Sequence, residues 1–112
     1  MAKFHSGKNR DRLGIIAAIL DSADSGSNKT KIMFEANLSF RLLNKYLDIA
    51  VNAGFVQVDG SVYLLTENGR GFLRRYGEFR RRYNRMQKML QTLASEHEQM
   101  SNIVEKNKLL CH

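Results

Sequence analysis

Apolar residues return every three to four positions along most of the chain, with turn formers breaking the pattern after the first helix and an alternating stretch before the last. Over 10–20, Leu13, Ile16, Ala17 and Leu20 share a face with Ile19 beside it, which predicts a first helix. The following run, DSADSGSN, is a cluster of turn formers and reads as a loop. Asn28 is placed to cap a short second helix over 29–35, with Ile32 and Met33 facing inward. Three residues, Ala36, Asn37 and Leu38, connect it to a third helix that Ser39 caps. There Phe40, Leu43, Leu47, Ala50 and Val51 recur at helical spacing to about Asn52, and Ala53-Gly54 forms a left-handed stop. Residues 55–58 and 62–65 are β-rich and flank Asp59-Gly60, a two-residue hairpin signal. Thr66 then caps a last helix. Helix, helix, tight turn, helix and hairpin make the order of a winged helix-turn-helix, so the expected fold is mainly α with a small β-hairpin.

The last helix carries a longer pattern. Phe72, Tyr76, Phe79, Tyr83, Met86, Leu90, Leu93, His97, Met100 and Val104 follow one another in alternating steps of four and three, a heptad seam without a slip. From Thr66 to about Lys106 this helix is roughly 60 Å long. A 65-residue domain offers no helix of comparable length to cover it, and leaving Phe79, Leu90 and Leu93 in water costs about 1.5–3 kcal/mol each. A dimeric coiled coil is therefore expected, with a winged domain over 1–65 (including an N-terminal arm, 1–9) and a dimerisation helix over 66–112.

Charge changes this picture by choosing a direction. The 112 residues hold 18 Lys+Arg against 11 Asp+Glu, a net +7. The excess is concentrated over 70–88, where Arg70, Arg74, Arg75, Arg80, Arg81, Arg82, Arg85 and Lys88 face Glu78 alone; 89–112 is slightly acidic. Parallel pairing sets the two arginine runs side by side, whereas antiparallel pairing sets each against the acidic half of its partner. The antiparallel register that satisfies every seam position matches Phe72 with Val104, Tyr76 with Met100, Phe79 with His97, Tyr83 with Leu93 and Met86 with Leu90. It brings Arg82 near Glu96 of the other chain, a pair worth about 0.5 kcal/mol. Such a seam sets the two winged domains about 48 Å apart, farther than the ~34 Å between successive major grooves on one face of a duplex. This favours spanning two turns or bridging duplexes. Arg75, Arg80 and Arg82 flank the seam, while Arg70, Arg74, Arg81 and Arg85 point outward.

Other chemistry is sparse. The uncharged runs, 13–20 and 52–58, are too short to span a bilayer, and MAKFHSGKNRDR contains no apolar segment of a signal peptide. The single cysteine, Cys111, forms no internal disulfide and suits a reducing, cytoplasmic setting. His5, His97, Cys111 and His112 lack metal-ligand spacing; His97 reads as a polar seam residue stacked on Phe79. No phosphate loop, paired-carboxylate site or activated nucleophile is visible, so no enzyme, cofactor, metal or small-molecule substrate is expected. In the third helix, an inward face of Phe40, Leu43, Leu47 and Ala50 turns Arg41, Asn44, Lys45, Asp48 and Asn52 outward. Arg41 and Lys45 lie in the half that enters the major groove in helix-turn-helix docking. Asn44 suits adenine and Arg41 guanine, though either also suits a phosphate. Asn28, Lys29, Lys31 and Ser39 stand at helix starts, where backbone amides attract anions. Lys3, Lys8, Arg10 and Arg12 supply further cations near the N-terminus.

The segments KTKIMFEANLSFRLLNKYLDIAVNAGFV and YLLTENGRGFLRRY resemble archaeal winged-helix DNA-binding proteins of the Sulfolobus "ten-a" type, by motif over residues 10–77 and by architecture beyond. Their most recognisable pieces are 29–33, Ala36-Asn37-Leu38-Ser39, Tyr46-Leu47, Gly54 and Thr66-Glu67-Asn68-Gly69. The resemblance implies an antiparallel coiled-coil dimer that binds double-stranded DNA in archaeal chromatin or transcription control, a nucleoid-associated role. One departure is the wing: Asp59-Gly60-Ser61 is short and acidic, without lysines to grip phosphate. A winged helix can also serve as a protein-protein adaptor, in which case the outward face of the third helix meets a protein.

Overall fold

A computed structural model describes residues 10–110. The elements run α1 (Arg12–Ser22), α2 (Lys29–Glu35), α3 (Phe40–Asn52), β1 (Val56–Asp59), β2 (Val62–Leu65) and α4 (Glu67–Leu110). Lys3, Lys8, His5, Cys111 and His112 lie outside the described residues, as does the arm at 1–9.

Side-chain caps set the helix starts. The Asp11 carboxylate accepts the Gly14 N–H at 2.8 Å and begins α1 one residue after itself, so Arg10 precedes the helix rather than opening it. Asn28 accepts from Lys31 N at 2.8 Å, Ser39 from Leu42 N at 3.2 Å, and Thr66 from Gly69 N at 3.1 Å. At the end of α3, Phe55 N–H bonds Ala50 O and Gly54 N–H bonds Val51 O, the paired closure in which Gly54 takes φ +77° without a Cβ penalty.

The chain divides into two compact units after Gly77. In the first, α1 is the central element, with Ile16, Ala17, Ala18, Ile19 and Leu20 all buried. Ile32, Leu38, Leu43, Tyr46, Leu47, Ala50 and Val56 close around it. Two sequence expectations fail here. Leu13 is 47% exposed and Phe40 63% exposed, although both fit the apolar stripes of their helices. Each lies in the first turn, and helical side chains lean towards the N-terminus, which carries these two off the end of the packed region. Ala18 in α1 and Tyr46 in α3, outside the expected stripes, are buried, and Ile19, expected beside its stripe, is fully so.

The hairpin pairs Val56 with Leu65 and Asp59 with Val62, so the two loop residues are Gly60-Ser61 and Asp59 belongs to the strand, one residue on from the expected turn. Gly60 supplies the positive φ, +63°, at the first loop position. Ser27 adds a third, short rung: its N–H bonds Tyr63 O and its carbonyl accepts from Tyr63 N.

The first unit also takes in the start of α4 instead of stopping at Leu65. Leu73 and Tyr76 are buried, and the Phe72 ring lies 4.9 Å from that of Phe55. A Cβ at Gly69 would overlap the Phe55 carbonyl oxygen, so glycine permits this close approach. The Thr66 hydroxyl donates to Gly54 O at 2.6 Å while it caps α4. Tyr76 is thus a core residue of this unit and Phe72 is half-buried against that core, and the seam expected to start at Phe72 has its first exposed member at Phe79. Arg70, expected to point outward, is instead 2.6 Å from Asp24 in the α1–α2 loop.

The second unit, from Glu78 onward, is the remainder of α4. Every residue from Arg81 to Lys108 is exposed, including Tyr83, Met86, Leu90, Leu93, Met100 and Val104. Among the described residues no helix is long and apolar enough to cross a membrane, and no three His, Cys, Asp or Glu side chains gather as a metal site.

Candidate nucleic-acid interface

The turn between α2 and α3 fixes the candidate site. Ala36 ends α2, Asn37 adopts φ +54°, a left-handed conformation that asparagine tolerates better than most residues, and Ser39 opens α3. Arg10 reaches the same turn: its Nη2 donates to Asn37 O at 3.2 Å, and its Nη1 is buried without a hydrogen-bond partner. Arg10, expected on the interface, is a clamp on the turn. Arg12 is exposed at the first turn of α1.

The expected site residues fall into two groups. Asn28 and Ser39 use their side-chain oxygens as caps, so they orient α2 and α3. Lys29 Nζ donates to Asn44 Oδ1 at 3.0 Å, which ties the start of α2 to the second turn of α3. This bond uses one of the two lone pairs of the oxygen that accepts from adenine N6 in a bidentate reading. Lys31, Arg41 and Lys45 are exposed, and Lys45 Nζ lies 5.4 Å from the Tyr46 ring centroid. Lys29, Lys31, Arg41 and Lys45 are the cations of 28–47, and Glu35 is the acid of that stretch. Glu35 accepts from Ser22 Oγ at 2.7 Å. The α2–α3 pair therefore presents positive charge. Asp48, also exposed, limits it beyond the second turn of α3.

The hairpin differs. Residues 53–65 contain no base and one acid, Asp59, which is exposed at the tip. Sequence reasoning missed the two long side-chain contacts, Arg10 to Asn37 and Lys29 to Asn44, because their partners lie 27 and 15 residues away. It also missed the exposed Phe40 beside Arg41, for which first-turn position was the available signal.

The family model for winged helix-turn-helix proteins matches residues 9–84. This chain belongs to the winged helix-turn-helix family. An uncharacterized protein of Methanocaldococcus jannaschii, MJ0287, is 35% identical over 72 residues, which cover 58% of this chain and 74% of that protein. The fold is similar to that of Sso10a-2, a DNA-binding protein from Sulfolobus solfataricus, with a TM-score of 0.71 over 77% of this chain and 95% of the other, at 20% identity. Within the winged helix-turn-helix, α2 and α3 are the paired helices, β1–β2 is the wing, and α4 is the long extension that follows it. Between Asn28 and Leu65 the positive charge lies on the helix pair, and the wing is acidic.

Proposed function

We propose that this winged helix-turn-helix protein binds double-stranded DNA through α3, as an antiparallel homodimer joined by α4, in a chromatin-associated or transcription-regulating role inside the cytoplasm. The observation that carries the reading is the exposed Arg41 and Lys45 on α3, whose start is held by the Ser39 cap and by Arg10 at the turn. The similarity in fold to a protein described as DNA-binding supports it. Arg12 and Lys31 add phosphate contacts from the flanks, and the acidic wing adds little. Fluorescence anisotropy on random and genomic duplexes over a salt series tests this. Changing both Arg41 and Lys45 to Gln is expected to weaken binding and to lower the slope of log K against log salt by about one for each phosphate left unneutralised. A steep slope on any sequence supports an architectural role, and a large specific-to-random ratio supports a regulator. No binding to either overturns the reading in favour of a protein adaptor.

Dimerisation rests on the exposed seam of the second unit. With Tyr76 in the core and Phe72 packed against it, pairing runs from Phe79 to His97, centred on Lys88, with Phe79 against His97, Tyr83 against Leu93 and Met86 against Leu90. In a Cys111→Ser background, mixing Phe79→Cys with His97→Cys protein and oxidising tests the direction. A mixed disulfide supports the antiparallel register; Phe79→Cys protein linking to its own copy overturns it. Capture of a second labelled duplex by a dimer already bound to one tests bridging.

A further inference from the structure

Phe40 belongs neither to the core nor to the cations of the helix pair. It occupies the first position of α3, is 63% exposed, and stands between the Ser39 cap and Arg41. By helical spacing it shares a flank with Asn44, one turn on. A single exposed apolar side chain is ordinary on a protein surface. This one, however, sits at the helix end that contacts base edges in helix-turn-helix docking, on backbone fixed by a cap, a left-handed Asn37 and the Arg10 clamp. Its surroundings say what kind of partner it suits. An apolar protein surface seated on Phe40 would also have to desolvate Arg41 and the other cations of the helix pair. The major groove offers both complements at once: phosphates for the cations, and the C5-methyl group of thymine as an apolar spot among polar base edges.

We propose that Phe40 is a specificity residue that contacts a thymine methyl, giving the protein a preference for thymine in the major groove at the start of α3. The inference rests on the DNA-binding reading and adds a base preference to it. Phe34, 76% exposed at the far end of α2, is the natural comparison. It lies on the helix that crosses the backbone rather than entering the groove.

The test uses the full chain and one duplex made twice, with thymine or with uracil, which lacks the methyl. The wild-type protein is expected to bind the uracil duplex about fourfold more weakly per methyl contacted, the factor for burying one such group. Phe40→Ala should bring the thymine-to-uracil ratio to about one, Phe40→Leu should retain most of it, and Phe34→Ser should leave it unchanged. Because each protein is compared on both duplexes, any effect of uracil on the DNA itself cancels between variants. Circular dichroism melting checks that the variants fold. A wild-type ratio of one overturns the proposal while leaving DNA binding intact. A ratio lost equally in Phe34→Ser overturns the assignment to Phe40. No binding to either duplex overturns both the inference and the reading beneath it.

Discussion

The two compact units use the same apolar periodicity for opposite ends. In the first, Ile19, Leu20, Ile32 and Leu43 have no solvent exposure and the pattern is consumed within the chain. In the second, Leu90, Leu93, Met100 and Val104 recur at the same spacing, and each is more than half exposed. Periodicity states which residues want a partner; it does not state which molecule provides one. Tyr76 and Phe79 stand next to each other on the seam, yet Tyr76 is 7% exposed and Phe79 53%.

The largest expected effect comes from the first unit. Leu43→Ala should cost about 2–5 kcal/mol, by lost transfer energy and the cavity left behind. Urea denaturation should show that loss at every protein concentration. Leu90→Asp should leave that unit folded and act on association: sedimentation should find monomer at concentrations where the parent chain is dimeric, since the change removes about 2 kcal/mol of burial per protomer and adds a buried charge. A parent chain that is monomeric throughout would sink the contrast between the units. Next is Thr66→Val, which deletes an N-cap and the bond to Gly54 O together and should lower stability by about 1–2 kcal/mol. The smallest is Asp24→Asn. The Arg70–Asp24 pair is short, but both side chains are more than 40% exposed, so the loss should stay below about 1 kcal/mol and fade with added salt.

Where the sequence carries local signals, it is a good guide. Asn28, Ser39 and Gly54 bound α2 and α3 because capping is a matter of neighbours along the chain, and α2 runs over the residues that its cap implies. The failures come from tertiary context. Leu13 and Phe40 have the right spacing for the core but sit where the helices begin, ahead of the packed layer. Asp-Gly is a strong hairpin signal that puts Asp59 in the turn, yet its pairing with Val62 moves the loop on by one. Ser27 joins the sheet from a loop of turn formers, with no β pattern of its own. On the interface, composition and element order point to Arg41 and Lys45, which the structure leaves exposed. They cannot show that Asn28 and Ser39 work as caps or that Lys29 holds Asn44.

The way α4 starts has a consequence for how the chain orders itself. A helix of 44 residues would ordinarily face the unfavourable step of forming a first turn, with a nucleation constant on the order of 10⁻³. Here that turn is already made: Thr66 holds Gly69 N–H and Gly54 O at once, and Leu73 and Tyr76 are packed in the core. The remaining residues need only propagate, one hydrogen bond at a time, from a template that folding of the first unit provides. In a chain kept monomeric by Leu90→Asp, hydrogen exchange along α4 should therefore be graded, slowest at 69–76 and fastest towards Lys108, whereas pairing of the parent chain adds protection along the seam. The protein then behaves as a seeded helix, with an ordered root and a growing tip.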